Sequence, residues 1–172
     1  MKINNFNVGG KEPVFIIAEL SANHNGNLDI ALESVKAAKR AGANCIKLQT
    51  YTPDTMTINS NKKGFLLKGT IWEGKNLYNL YEDAYTPWEW HEEIFKVAEK
   101  EGLVCFSSPF DPTAVEFVEK LNAPAYKIAS FEITDIPLIE LVASKGKPVI
   151  ISTGIAGQED IELALDACKR MG

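Results

Sequence analysis

The chain has 172 residues, of which 45% are hydrophobic and 24% charged, and its 18 basic and 23 acidic side chains give a formal net charge of -5. This composition is typical of a folded globular domain and excludes collagen-like and disordered chains. The acidic balance argues against a nucleic-acid partner, which needs a concentrated basic surface. No apolar run approaches the roughly 20 residues that span a bilayer, so we expect no membrane partner. Three cysteines without a C-x-x-C pair predict reduced thiols and a cytoplasmic protein.

Five short apolar or β-branched runs recur along the chain, and a helix-like pattern follows each of them. Runs that are apolar on both faces are typical of strands in a parallel sheet that helices cover. The runs are VFIIAEL from Val14, CIKLQT from Cys45, LVCFSSPF from Leu103, AYKIAS from Ala125 and PVIISTG from Pro148. The sequence therefore predicts five βα units.

The predicted helices have their own start and stop signals. Apolar residues keep helical spacing between Leu28 and Ala38, and Gly42 supplies a left-handed cap. Thr86-Pro87-Trp88-Glu89 predicts a capping box at the start of a helix that ends at Gly102. The other three helices are predicted to open at Asp111-Pro112, to run from about Pro137 to Ser144, and to begin near Glu159.

The order of these elements favours one fold class. Five βα units without a glycine-rich phosphate signature after the first run favour a (β/α) barrel over a dinucleotide-binding fold. Because such a barrel has eight units and typically about 250 residues, we expect an α/β protein with an incomplete TIM-type barrel. A complete five-stranded doubly wound domain is the alternative. The long segment from Tyr51 to Tyr85 predicts a lid or a binding loop.

Polar side chains lie at the C-terminal ends of the five runs, where barrels place their active sites. They are Glu19, Lys47, Gln49, Ser107, Ser108, Lys127, Ser130, Ser152 and Thr153. A lysine inside a buried strand needs an anion to compensate its charge. Two interpretations stay open: structural ion pairs of Glu19 with Lys47 or of Lys127 with Glu132, or a pocket for a ligand with phosphate and carboxylate groups, such as phosphoenolpyruvate.

The two histidines do not predict a metal centre. His24 lies in Asn23-His24-Asn25-Gly26, just after the first run, where a histidine is expected to fix the loop by hydrogen bonding. His91 lies on a predicted helix and is expected to be solvated or packed. Because the two are far apart and lack a carboxylate at ligand spacing, we expect no complete metal site in this chain.

These segments resemble, in the same order, the N-terminal part of the phosphoenolpyruvate-condensing nonulosonic (sialic) acid synthases. Three stretches, AELSANHNG, YTPDTMTINS and LYEDAYTPWEWH, resemble the branch of that family that makes pseudaminic acid rather than the N-acetylneuraminate branch. The other matching motifs are Ile46-Lys47-Leu48-Gln49-Thr50, Ser107-Ser108-Pro109-Phe110, Ala125-Tyr126-Lys127-Ile128-Ala129-Ser130 with Glu132, and Gly146-Lys147-Pro148 followed by Ser152-Thr153-Gly154.

The resemblance implies a transferase that condenses phosphoenolpyruvate with 2,4-diacetamido-2,4,6-trideoxy-altrose. It implies a divalent metal, manganese or magnesium, release of phosphate, and a product used in bacterial surface or flagellar glycans. Three alternatives stay open: synthesis of N-acetylneuraminate or legionaminic acid, a non-catalytic half barrel that binds an anion, and an aldolase-like barrel in which Lys127 forms a Schiff base.

The resemblance also implies roles for individual residues. Five of them would hold the phosphate and carboxylate of phosphoenolpyruvate: Lys47, Ser108, Lys127, Ser130 and Ser152. Glu19 and Gln49 would face the sugar, Phe110 and Glu132 would shape the pocket, and the catalytic candidates are Glu19, Lys47 and Lys127. Sialic acid synthases commonly have threonine where this chain has Ser108, a change that keeps the hydroxyl.

The family's metal-binding histidines fall in later strands, and an antifreeze-like (SAF) domain follows the barrel and reaches over the partner's site in a homodimer. We therefore expect residues 1–172 to be the N-terminal part of the synthase barrel, with the remaining strands and the SAF domain absent. These residues alone are expected to turn over poorly or not at all. Open strand edges are expected to favour self-association.

Overall fold

The computed structural model describes residues 1–172 and places a five-stranded parallel sheet at the centre of the protein. A short antiparallel hairpin, β1 (Lys2–Ile3) and β2 (Phe6–Asn7), comes first. The sheet strands are β3 (Ile17–Glu19), β4 (Cys45–Thr50), β5 (Val104–Pro109), β6 (Tyr126–Ile128) and β7 (Val149–Ile151). The helices are α1 (Leu28–Arg40), α2 (Pro53–Met56), α3 (Leu77–Ala84), α4 (Trp88–Lys100), α5 (Pro112–Lys120), α6 (Ile136–Ala143) and α7 (Gln158–Met171).

The strand order shows which of the two predicted folds the chain adopts. Each strand pairs in parallel with the one before it, so the order β3-β4-β5-β6-β7 follows the chain without a reversal. A doubly wound sheet reverses its order at a switch point, whereas a (β/α) barrel does not. The sheet curls into a half-barrel with helices outside, so the predicted incomplete barrel is confirmed and the doubly wound alternative is wrong. No helix has the length and apolar character needed to cross a membrane.

The residues of β4 alternate between the two faces of the sheet. Ile46 and Leu48 face the helices and are buried, because the outer face of the sheet packs against α1 and α4. Their partners in this layer include Ala31, Val35, Ile94 and Ala98. Burial of one such side chain contributes about 1.5–3 kcal/mol. The alternate residues, among them Lys47 and Gln49, therefore lie on the concave inner face.

The N-terminal hairpin closes the opposite end of the sheet. Ile3 of β1 is buried in the same cluster as Cys45 and Val104, the first residues of β4 and β5. The sequence analysis did not predict this hairpin, because two-residue strands are too short to show a period. Its position leaves the C-terminal strand ends as the accessible end of the half-barrel.

The helix starts show one correct prediction and one error. Asp111 caps α5 as predicted, since its carboxylate accepts hydrogen bonds from the backbone N–H groups of Thr113 and Ala114. The predicted capping box at Thr86 is wrong: α4 begins after Pro87 without a side-chain cap. The hydroxyl of Thr86 instead bonds to Nε2 of His24 at 3.2 Å. A missing cap costs a helix about 1 kcal/mol.

The segment between β4 and α4, residues 51–85, is here called the insertion. It contains α2, a 3-10 turn at Lys63–Phe65 and α3, and the N-cap residue of α3, Asn76, is buried. Tyr51 is the first residue of the insertion, and its ring packs edge-on against the rings of Tyr81 at 5.7 Å and Phe110 at 5.5 Å. The insertion is therefore packed at the C-terminal strand ends, and its role as a lid or binding loop stays a prediction.

Candidate functional site

The strand register brings the predicted site residues onto one face. Glu19 pairs with Lys47 across β3 and β4, and Gln49 pairs with Ser108 across β4 and β5. Residues in register on parallel strands point to the same side of the sheet. On β6, Tyr126 and Ile128 are buried on the helix-facing side, so Lys127 between them faces the concave side. These five polar side chains therefore share the concave face of the sheet.

Glu19 and Lys47 form an ion pair on this face. The Lys47 side chain is 14% exposed and the Glu19 side chain 38%, so the lysine is the more desolvated partner. The ammonium also lies 3.5 Å from the Ser108 hydroxyl. The first of the two ion pairs considered from the sequence is thus present. This ion pair does not exclude ligand binding, because the Glu19 carboxylate and the Ser108 hydroxyl hold the Lys47 ammonium on the open side of the sheet.

Lys127 has no carboxylate within ion-pair distance. Its Nζ donates a hydrogen bond to the backbone carbonyl of Ile128 at 2.6 Å. Burial, and then the positive charge of Lys47, lower the pKa of Lys127, while Glu19 and Glu132 act in the opposite direction. The predicted alternative of a Lys127–Glu132 ion pair is therefore wrong. Two neighbouring ammonium groups, of which one lacks a counter-ion, favour the binding of an anion.

Glu132 lies in the 3-10 turn Ser130–Thr134 that follows β6. Burial raises its pKa, and its Oε2 atom is buried without a hydrogen-bond partner. A buried polar atom without a partner is costly unless a ligand or a water completes its bonding. Glu132 is therefore an incompletely satisfied group near Lys127, and its place in the pocket wall stays a prediction.

The serines divide between the two faces of the sheet. Ser108 faces inward beside Lys47, whereas Ser107 faces the helices and bonds to Thr50 at 2.6 Å. Ser152 follows β7, where its backbone N–H bonds to the carbonyl of Ile128. Ser130 accepts a hydrogen bond from the backbone N–H of Ile155 at 3.1 Å and so joins the segments after β6 and β7.

Two aromatic residues complete the surroundings of the polar groups. Phe110 packs edge-on against Tyr51, the first residue of the insertion, and its pocket-shaping role stays a prediction. Phe106, which the sequence analysis missed, is in register with Lys47 and fully buried. It therefore lies beside Lys47 on the neighbouring strand, as part of the buried apolar cluster. Period-two alternation from Ser108 was the signal that could have found it.

Both histidines are engaged away from this face. His24 is buried, with Nδ1 accepting from Gly26 and Nε2 bonded to Thr86, so its predicted loop-fixing role is confirmed. His91 is packed against the sheet, bonded to Thr50 at 2.9 Å. No group of three or more histidine, cysteine, aspartate or glutamate side chains is arranged to hold a metal ion. The residues present therefore do not fit the divalent metal that the family resemblance implies.

A cavity lies elsewhere, at the N-terminal strand ends. It has a volume of about 710 Å³, and its walls include Asn4, Phe95, Leu103 and Lys120. It contains none of the predicted site residues. The concave face of a half-barrel is open, so its lysines, hydroxyls and desolvated carboxylate, rather than the size of a cavity, make it the candidate site.

The fold and this face define the class: an α/β barrel protein with lysines and hydroxyls gathered at its C-terminal strand ends. Residues 34–172 match the NeuB family, and the chain belongs to that family. It is 56% identical over 161 residues to the pseudaminic acid synthase of Campylobacter jejuni. It is 35% identical over 161 residues to the N,N'-diacetyllegionaminic acid synthase of Legionella pneumophila.

A solved structure gives the same result for the fold. The N-acetylneuraminic acid synthetase of Leptospira borgpetersenii, in complex with citrate, superimposes with a TM-score of 0.86 at 31% identity, over 99% of this chain and 55% of that one. The chain spans about half the length of the curated relatives it matches: 94% of it covers 46% of the Campylobacter protein and 45% of the Legionella protein.

Proposed function

We propose that this chain forms the phosphoenolpyruvate-binding part of a pseudaminic acid synthase. The observation that supports this most directly is the pair of lysines on the inner face, of which Lys127 has no carboxylate in contact. A ligand with phosphate and carboxylate groups would supply the missing negative charge. The higher identity to a pseudaminic acid synthase than to a legionaminic acid synthase, 56% against 35%, favours the diacetamido-trideoxy-altrose as the sugar.

In the proposed complex each group acts through charge and position. Lys47, held by Glu19, and Lys127 would neutralise the phosphate, and the hydroxyls of Ser108, Ser130 and Ser152 would orient it. Fixing the enol carbon against the sugar aldehyde lowers the entropic part of the barrier. Preorganised charges then stabilise the cation that develops at C2 when C3 bonds to the aldehyde carbon; water adds to this cation before phosphate leaves.

The sugar would lie toward Glu19 and Gln49. Glu19 is partly exposed and already fixed by Lys47, so one carboxylate oxygen is placed to orient a hydroxyl of the sugar or a water molecule. Glu132, whose buried oxygen has no partner in the protein, would shape the pocket wall near Lys127.

The proposal extends to the setting of the reaction. Any manganese or magnesium would take its ligands from outside these residues, so we assign no step to a metal here. The three free cysteines support the proposal that the reaction takes place in the cytoplasm, because the cytoplasm keeps thiols reduced. The complete protein would contain the rest of the barrel and the SAF domain and would act as a homodimer. The product would serve bacterial surface or flagellar glycans.

Phosphate release by the full-length protein tests this function. We expect release from phosphoenolpyruvate only with a sugar and a divalent metal present, and faster with 2,4-diacetamido-2,4,6-trideoxy-altrose than with N-acetylmannosamine or the related diacetamido-mannose. Mass spectrometry of the product identifies the nonulosonate. A preference for N-acetylmannosamine would contradict the choice of sugar, and absence of release with every sugar would contradict the reaction.

A further inference from the structure

A buried hydrogen bond joins two loops at the C-terminal side of the strands. Nε2 of His24, in the loop that follows β3, lies 3.2 Å from Oγ1 of Thr86, the residue between the insertion and Pro87. Both side chains are buried, with 0% and 2% of their surface exposed. This bond therefore connects the loop behind Glu19 with the end of the insertion.

The loop that carries His24 has a strained backbone. Ser21 and Asn25 have φ angles of +48° and +49°, and Gly26 has φ +66°. Left-handed conformations of residues other than glycine persist only when the surroundings hold them, and they concentrate at functional sites. Nδ1 of His24 accepts a hydrogen bond from the backbone N–H of Gly26 at 3.1 Å and so contributes to holding this loop.

The hydroxyl of Thr86 is used for this long-range contact rather than for its own helix. Thr86 precedes Pro87 in a sequence that predicts a capping box, yet α4 has no side-chain cap. Natural sequences break local rules mainly where function requires another arrangement. The Thr86 hydroxyl that bonds to His24 instead of capping α4 and the left-handed backbone of the His24 loop are two separate observations. Each supports a role for the His24–Thr86 hydrogen bond.

The ring of His24 is held on three sides. Burial lowers its pKa, which favours the neutral imidazole. Since Nδ1 accepts from Gly26, the proton lies on Nε2, and that atom donates to Thr86. Trp90 of α4 packs edge-on at 5.5 Å. The same loop begins beside the ion pair, because the N–H of Leu20 bonds to the carbonyl of Lys47 at 3.0 Å.

We propose that His24 is a positioning residue that, through Thr86, fixes the insertion against the loop behind Glu19 and so holds the sugar side of the site in one arrangement. The proposal rests on the function proposed above. Phosphoenolpyruvate binding depends on Lys47, Lys127 and the serines, whereas the His24–Thr86 bond supports only the loop and the insertion. Its loss therefore affects the sugar and the phosphoenolpyruvate differently.

Paired variants of the full-length protein test the bond. Thr86→Val keeps the shape and removes the hydroxyl, and we expect it to raise KM for the diacetamido sugar about tenfold, with KM for phosphoenolpyruvate and kcat within about twofold. Thr86→Ser restores the hydroxyl and should restore KM. His24→Gln keeps a donor at the Nε2 position and should resemble the parent, whereas His24→Asn should resemble Thr86→Val.

Thr50→Val is the matched control, because it removes another buried threonine hydroxyl that bonds to a histidine, on the helix-facing side of the sheet. It should lower stability without changing KM for the sugar. Equal changes of both KM values in Thr86→Val, or the same sugar effect in Thr50→Val, would overturn the proposal.

Hydrogen–deuterium exchange gives a readout that does not need activity. Amides of the insertion should exchange faster in Thr86→Val than in Thr86→Ser, while amides of β4 and β5 stay unchanged. Unchanged exchange in the insertion would overturn the proposal even if the enzyme is active. An enzyme inactive with every sugar but with the expected exchange pattern would overturn the proposed function and leave His24 as the residue that fixes the insertion.

Discussion

The two faces of the central sheet carry polar groups that differ in how fully the protein satisfies them. On the helix-facing side, Thr50 bonds to both Ser107 and His91, and all three are neutral and buried. On the concave side, Lys127 reaches only a backbone carbonyl and Glu132 keeps a buried oxygen without a partner. The first set stabilises the fold by itself. The second set is left incompletely satisfied by the protein, and this difference supports the proposal that the concave face is the functional one.

The largest expected effect tests the helix-facing side. Leu48→Ala removes a fully buried side chain between β4 and the helices, and we expect the free energy of unfolding to fall by about 3 kcal/mol. Urea denaturation measures this loss. Phosphoenolpyruvate affinity at low temperature should stay within about twofold. A large loss of affinity in a variant that remains folded would show that the two faces are not independent.

Loss of a lysine tests the concave side. Lys127→Met removes the ammonium without a counter-ion, and we expect phosphoenolpyruvate affinity to fall about 30-fold, since a hydrogen bond to a charged group contributes about 2 kcal/mol. Calorimetric titration measures the affinity. Lys145→Met, which removes a lysine paired with Glu116 instead, is the control and should bind normally. Equal affinity in the two variants would contradict the assignment of this face.

The same lysine predicts a pH dependence of binding. Burial and Lys47 lower the pKa of Lys127, so its charge is lost at a lower pH than that of an exposed lysine. An anion binds the protonated form, and affinity should therefore decrease as pH rises through this lowered pKa. Lys127→Gln should remove this part of the dependence in titrations at increasing pH. A decrease of the same size in the variant would assign the titration to another group.

Acid pH should act on the helix-facing side through His91. Burial lowers its pKa from 6.5 to about 4, so the unfolded chain takes up a proton that the folded protein does not. Stability should therefore fall as pH decreases below 6.5 toward 4, by about 2 kcal/mol between pH 7 and pH 5. Urea denaturation of His91→Gln at both pH values should show a smaller difference. An equal difference would mean that other groups control the acid response.

The smallest effects compare adjacent serines on β5. Ser108→Ala should weaken phosphoenolpyruvate binding about fivefold and leave stability nearly unchanged, because this hydroxyl lies beside Lys47 on the open face. Ser107→Ala should do the reverse and lower stability by about 1 kcal/mol, since Thr50 loses a partner. Calorimetry and denaturation separate the two results. The opposite pattern would reverse the assignment of the faces.

Period-two alternation in the sequence was sufficient to place Lys47 and Gln49 on one face, and the sheet confirms that placement. The features it did not predict depend on contacts between distant residues. The residues that follow Thr86 in the sequence predicted a helix cap, but its hydroxyl bonds to His24, which is 62 residues away in the sequence. Likewise, nothing in the spacing of Lys127 and Glu132 shows that the first turns to a carbonyl and the second stays unpaired. Propensity describes local choices, and tertiary contacts override them.

The uninterrupted strand order has a consequence for how the chain folds during synthesis. Each new strand pairs with the strand made just before it, from β3 through β7, and never waits for a later one. Pairing between consecutive strands needs a shorter closing segment than pairing with a more distant strand would, which lowers the entropic cost of closing each segment. A chain leaving the ribosome could therefore add one βα unit at a time to a structured edge, with the hairpin at Ile3 already available to cover the base of the growing sheet.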